Sequence, residues 1–110
     1  MPIPEIARRS LLRRLNDRSR DRWPELAGIR LRFRAGFAYV DGVRSDGDVL
    51  TLCRLRYLGS ADAWGFAAYL YSKEGYEDSV LPTGSITGSP EEALDCACGL
   101  YLNDPSAWNV

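Results

Sequence analysis

The chain contains no histidine and a single lysine, Lys73, beside thirteen arginines. Without histidine it lacks the commonest general base and the usual activator of a serine or cysteine nucleophile. Cysteine is scarce and odd in number: Cys53, Cys96 and Cys98, with two of them only two positions apart, do not suit a disulfide framework and are expected as reduced thiols. No apolar run approaches the roughly 20 residues that cross a bilayer. No apolar segment is followed by a small-residue cleavage site, so a cytoplasmic protein without a membrane role is expected. Arginine in place of lysine points to a GC-rich bacterial genome.

What is present is enough for one core. The 110 residues, 45% hydrophobic and 11% aromatic, predict a single domain over residues 1–110. The formal charge of −1 conceals a segregation along the chain. Residues 1–34 hold ten arginines against four acids, and residues 61–110 hold one lysine against eight acids. Blocks of unequal sign meet an oppositely charged partner, either within the fold or on another molecule.

Hydrophobic periodicity orders the elements. Ile3, Ala7, Leu11 and Leu15, with Ile6 and Leu12 beside them, give a helix from Pro4 to about Trp23 an apolar stripe, and Pro24 stops it. From Ile29 the period becomes two: Ile29, Leu31 and Phe33 alternate with Arg30, Arg32 and Arg34. Ala35-Gly36 suits a tight hairpin into Phe37–Asp41, and Ser45-Asp46-Gly47-Asp48 is a second turn. Val49–Leu58 and Trp64–Ser72 supply two more strands. The sixteen residues after Ser72 show no clear period and read as an ordered surface loop. Ser89-Pro90-Glu91-Glu92 is a capping box that opens a helix to Leu102, with Asp95 its one strongly polar interior position. Because that helix is apolar nearly all round, either the first helix or a second subunit must cover it. Asn103-Asp104-Pro105 is expected to close it, and Trp108 to fold back on the core. The fold class predicted is α+β in the order α-β-β-β-β-α, a four-stranded antiparallel meander with both helices on one face.

Two arginine groups are candidate binding sites. On the first helix, Arg14, Arg18 and Arg22 recur on one face, with Arg9 and Arg13 nearby, and can meet phosphates or an acidic protein surface together. Intrahelical pairing competes, since Glu5 reaches Arg9, Asp17 reaches Arg13 or Arg20, and Asp21 reaches Arg18. On the sheet, Arg30, Arg32 and Arg34, joined by Arg54 and Arg56, can stand beside Tyr69 and Tyr71. Guanidinium groups interleaved with tyrosines make a nucleic-acid platform, or else a solvated face whose arginines pair with acids on neighbouring strands.

Other motifs point less far. The helix-strands-helix order invites comparison with double-stranded-RNA-binding domains, but their second helix begins with lysines that straddle phosphates, and this one begins with Glu91 and Glu92. Glu74, Glu77 and Asp78 are the carboxylates of a possible acid–base or divalent-ion loop. Leu81-Pro82-Thr83-Gly84 lacks the spacing of a sortase signal. Gly84-Ser85-Ile86-Thr87-Gly88 leads into a helix whose free amides the capping box already takes. Cys96 and Cys98 lie about 200° apart on a helix and do not converge on a metal.

The segments Phe37-Ala38-Tyr39-Val40-Asp41-Gly42, Leu52-Cys53-Arg54-Leu55-Arg56-Tyr57, Trp64-Gly65-Phe66-Ala67, Gly75–Gly84 and Glu92–Tyr101 resemble a group of small, uncharacterised actinobacterial proteins over roughly residues 20–108. The resemblance implies a bacterial cytosolic chain and carries no activity. The function expected is non-catalytic binding, without cofactor or metal, of an acidic protein surface or another copy of the chain through the first helix. Nucleic-acid binding through that helix and the Arg/Tyr face is the alternative, and a carboxylate-dependent or metal-binding loop enzyme a third.

Overall fold

A computed structural model describes residues 2–81 and 83–101, with only the backbone described for residues 100 and 101. The first helix, α1, runs Glu5–Arg22 and ends where Trp23 precedes Pro24. Its stripe is buried as the four-residue spacing requires: Ile3 ahead of it and Ala7, Leu11 and Leu15 along it all join the core. Ile6 and Leu12 do not, and Ile6 is 80% exposed.

Four strands follow in sequence order: β1 (Leu26–Arg34), β2 (Phe37–Arg44), β3 (Val49–Tyr57) and β4 (Trp64–Leu70). All neighbours are antiparallel, with Leu31 opposite Val40, Phe33 opposite Ala38, Ala38 opposite Leu55, and Leu55 opposite Phe66. Those residues share one face, because side chains opposite each other across a ladder point the same way. Val40, Ala38, Leu55 and Phe66 belong to the same buried cluster as Leu11, Leu15, Ala93, Leu94 and Ala97 of the helices, with the half-buried Leu31 and Phe33 packed against it, so both helices pack on this face. A bulge between Val40 and Asp41 places Leu52 and Cys53, consecutive in sequence, both in the core.

The meander continues beyond the four expected strands. The segment read as a loop forms β5 (Gly75–Asp78) and the two-residue β6 (Thr87–Gly88), which share the outer edge of β4. β5 pairs with Ala67–Leu70 and β6 with Trp64 and Gly65. Between them the Phe66 N–H donates to the Ile86 carbonyl at 3.0 Å, and the Phe66 carbonyl accepts from the Ser79 N–H at 3.1 Å. A strand too short and polar to show a period thus still satisfies the edge amides of β4.

The second helix, α2 (Pro90–Tyr101), begins with the expected capping box. The Glu92 N–H donates to Ser89 Oγ at 3.1 Å, and the Ser89 N–H donates to Glu92 Oε1 at 2.9 Å. Gly88 is needed beside it, since a Cβ there would lie 2.5 Å from Leu81 Cδ1 and 3.1 Å from Glu92 Oε1. The expected helix end at 103–105 and the return of Trp108 to the core lie outside the described residues. α1 lies against α2, so the first helix provides the cover that the apolar second helix requires. Cys53, Cys96 and Cys98 are unpaired and buried, and burial pushes the Cys53 and Cys98 thiols up and Cys96 up to about 12.

Candidate functional site

The two arginine groups have different fates. Arg14 makes a bidentate pair with Glu91, Nε and Nη2 each 2.8 Å from a carboxylate oxygen, while its Nη1 donates to the Ala61 carbonyl at 3.0 Å and to Asp62 Oδ1 at 2.9 Å. Those hydrogen bonds raise the Arg14 pKa and hold the Glu91 carboxyl below the usual glutamate range. Arg18 makes a second fork with Asp95, from Nε at 3.1 Å and from Nη2 at 2.5 Å. Trp23 Nε1 donates to the same Asp95 at 2.9 Å. Arg22 Nε lies 3.8 Å from Asp95, with its guanidinium over the Trp23 ring. The polar position in α2 is therefore where α1 docks. Much of the opposite charge that the sequence separates meets within the fold, between residues 77 apart.

Elsewhere on α1, Arg9 pairs with Glu5 and Arg20 with Asp17, both exposed. Arg8 donates to the Ile3 carbonyl and covers the Phe33 ring. Arg13 is exposed and forms no ion pair with a described residue.

The sheet arginines stand on the face that neither helix covers. Arg30, Arg32 and Arg34 of β1 lie opposite Asp41, Tyr39 and Phe37 of β2, and Tyr39 and Phe37 lie opposite Arg54 and Arg56 of β3. Tyr69 of β4 lies opposite Tyr76 of β5. Five rings form a continuous series from Phe37 to Tyr39 at 6.4 Å, Tyr39 to Tyr76 at 5.3 Å, Tyr76 to Tyr69 at 5.1 Å and Tyr69 to Tyr71 at 4.8 Å. Tyr71 Oη also accepts the Thr51 N–H at 2.9 Å. The Arg54 guanidinium sits between rings, 4.7 Å from the centre of Phe37 and 5.6 Å from that of Tyr76, and Arg32 lies over Tyr39 at 5.5 Å.

Two carboxylates stand among these arginines. Asp78 is 91% exposed and 3.8 Å from Arg54. Asp41 is 3% exposed. Its Oδ2 lies 3.9 Å from Arg30 and 3.7 Å from Arg32, too far for hydrogen bonds, and its Oδ1 has no hydrogen-bond partner among the described residues. Burial raises the Asp41 pKa against the pull of Arg32 and Arg30, and burial with Asp41 nearby raises that of Tyr76. Arg34 and Arg56 are exposed and pair with no described residue.

A cleft of about 210 Å³ opens at one end of this face. Its floor is Gly65 and Ala67 of β4, its near wall Phe37, Arg54 and Arg56, and its far wall Asp78, Ile86 and Thr87. The depression exists because two small residues lie between longer side chains: a Cβ on Gly65 would already come within 3.3 Å of Arg56 Cβ. The alternation of Gly65, Phe66 and Ala67, small outward and large inward, is the one sequence signal for it.

The structure therefore brings Arg30, Arg32, Arg34, Arg54, Arg56, Tyr69 and Tyr71 to one face and places Arg9, Arg13, Arg14, Arg18 and Arg22 on the other side of the molecule. Phe37, Tyr39, Tyr76 and Asp41 join the sheet face without having been singled out from the sequence. The carboxylates of the 74–78 segment do not converge: Glu77 pairs with Lys73 at 2.7 Å, Asp78 faces Arg54, and no cluster of potential metal ligands occurs among the described residues. No helix among those residues is long and apolar enough to cross a membrane. Comparison with protein-family models, with curated proteins and with solved structures gives no match.

Proposed function

We propose that the protein is a non-catalytic binding module whose uncovered sheet face takes an anionic chain, with single-stranded nucleic acid the class that this face fits best. The observation that carries the reading is the composition of the face: five arginines at strand positions against Asp41 and Asp78, interleaved with a series of aromatic rings. Alternate residues on a strand rise roughly 6.8 Å. Arg30, Arg32 and Arg34 thus form a ladder of charges along β1, the edge strand, and Arg30 and Arg32 are 58% and 62% exposed. Guanidinium groups bind phosphates, and aromatic and guanidinium planes stack bases without needing a particular sequence. A cytoplasmic setting agrees with three reduced, buried thiols.

Binding of a fluorescent single-stranded oligonucleotide, read by anisotropy, tests this. The wild type is expected to bind, and Arg30→Glu/Arg32→Glu/Arg34→Glu to weaken binding at least tenfold, while Arg9→Glu/Arg13→Glu leaves it within twofold. Absence of oligonucleotide binding by the folded wild type overturns the reading.

A second reading rests on a separate observation. Ile6 is 80% exposed on the outward strip of α1 that also carries Arg9 and Arg13, and an exposed isoleucine flanked by arginines suits an acidic protein surface or another copy of the chain. Light scattering over a concentration series, with Ile6→Asp as the variant, separates self-association from a foreign partner.

A further inference from the structure

We infer that the cleft over Gly65 and Ala67 is a subsite for a single nucleotide, a pyrimidine 5′-monophosphate unit with an exocyclic amine, which makes cytidylate the preferred unit. The inference rests on the nucleic-acid reading of the same face and adds to it a place where one residue of the chain is held and distinguished. Size comes first. At about 210 Å³ the cleft lies below the roughly 300–1,000 Å³ of pockets for drug-sized ligands, and so suits one small ring with its phosphate at the rim.

Chemistry narrows the occupant further. Arg56 is an exposed guanidinium that pairs with no described residue and lines the cleft, so a phosphate placed there gains a charge-assisted pair without breaking an existing one. Arg54 is different: it is held between the Phe37 and Tyr76 rings and serves as part of the wall. The floor has no long side chain over Gly65 and Ala67, which leaves room for a flat ring to lie on the strand, while Ile86, 63% exposed, provides apolar cover from the far wall. On the far wall, across Ala67 from Arg54 and diagonal to Arg56, Asp78 lies 3.8 Å from Arg54 and its carboxylate oxygens accept no hydrogen bond from a described residue. A carboxylate accepts from the N4 amine of cytosine, whereas uracil presents a carbonyl at that position. Two like acceptors facing each other repel, so the same wall that holds cytosine disfavours uracil.

Titration of the full chain with cytidine 5′-monophosphate and uridine 5′-monophosphate, followed by amide NMR shifts, tests the inference. The expected result is saturable shifts at Gly65, Ala67 and Thr87 with the cytidine compound and at least fivefold weaker binding of the uridine compound. Asp78→Asn should reduce that preference to within twofold. Arg56→Gln, at an exposed position, should weaken both about tenfold, and Gly65→Val should do the same by filling the floor, provided its unfolding transition matches the wild type. Shifts absent from these amides, or equal affinity for both nucleotides, overturn the inference. If oligonucleotides bind but cytidylate leaves the cleft unperturbed, the inference fails and the broader reading stands. If cytidylate binds in the cleft and oligonucleotides do not bind, the reverse holds.

Discussion

At the scale of single residues, Asp41 is the position whose environment departs furthest from its apparent role as a strand end. The bulge opposite it helps bury a carboxylate whose Oδ1 has no partner among the described residues, and that burial disfavours the charged form by more than Arg32 and Arg30 favour it. Its consequence for stability has a definite sign. The folded carboxyl keeps its proton to a higher pH than the unfolded one, so stability is full below the ordinary aspartate value of about 3.9 and falls as pH rises through the raised folded value. Glu91 acts oppositely: its pKa is lowered by Arg14, so the stability it contributes is present above the ordinary glutamate range and is lost as pH falls. Urea unfolding of Asp41→Asn across mildly acidic to neutral pH should therefore lack the decline that wild type shows, while Glu91→Gln should lose the decline on the acid side. A decline unchanged in Asp41→Asn would mean that the buried carboxyl does not titrate differently in the two states. Nothing in the sequence announced this residue, because its burial depends on a register shift and on three strands meeting.

Between elements, legibility followed the range of the interactions. Period and caps are local, which is why α1, the four main strands and the capping box of Ser89 and Glu92 could be read directly. β5 escaped because Gly75-Tyr76-Glu77-Asp78 is four residues long and has no buried side chain to set a period. The packing of α1 on α2 was one of the two covers the apolar second helix allowed, but the ion pairs that fasten it escaped for another reason. Intrahelical acids such as Asp21 lay within reach of Arg18 on paper, yet Asp95 offers a partly buried fork with a Trp23 hydrogen bond beside it, where the surroundings are less screened by water. The Arg18–Asp95 contact should therefore contribute more than an exposed pair. A double-mutant cycle with Arg18→Gln and Asp95→Asn, measured by denaturant unfolding, is expected to give a coupling of about 1–2 kcal/mol. The exposed Arg9–Glu5 pair in the same assay should give no more than about 0.5 kcal/mol. Equal couplings would show that Asp95 does not fasten the helices. Charge reversal at Arg14 or Arg18 would oppose Glu91 and Asp95 and loosen the fold, so it would report on stability and not on a partner.

For the molecule as a whole, the separation of charge along the chain resolves into two surfaces of different kind. Where α1 meets α2, basic and acidic groups neutralise each other at hydrogen-bonding distance; where the sheet is uncovered, arginines outnumber carboxylates and two of them, Arg34 and Arg56, pair with no described residue. The net charge of −1 is thus a poor guide to what an approaching polyanion meets, because the field near a surface is set by the groups within a Debye length, about 8 Å at physiological salt. Salt should separate the two surfaces. Each phosphate neutralised on a single strand releases counterions and contributes about −0.7 to the slope of log affinity against log salt. Engagement of three to five sheet arginines predicts a slope of roughly −2 to −3.5 for oligonucleotide binding, and Arg34→Gln should reduce its magnitude by about 0.7. Folding stability over the same salt range should change little, since the forks between the helices are partly buried and short. Anisotropy titrations and urea unfolding at matched salt concentrations measure both quantities. A binding slope near zero would mean that the arginines of the open face do not meet phosphate, and a stability that falls steeply with salt would mean that the helix forks are held mainly by charges in solvent.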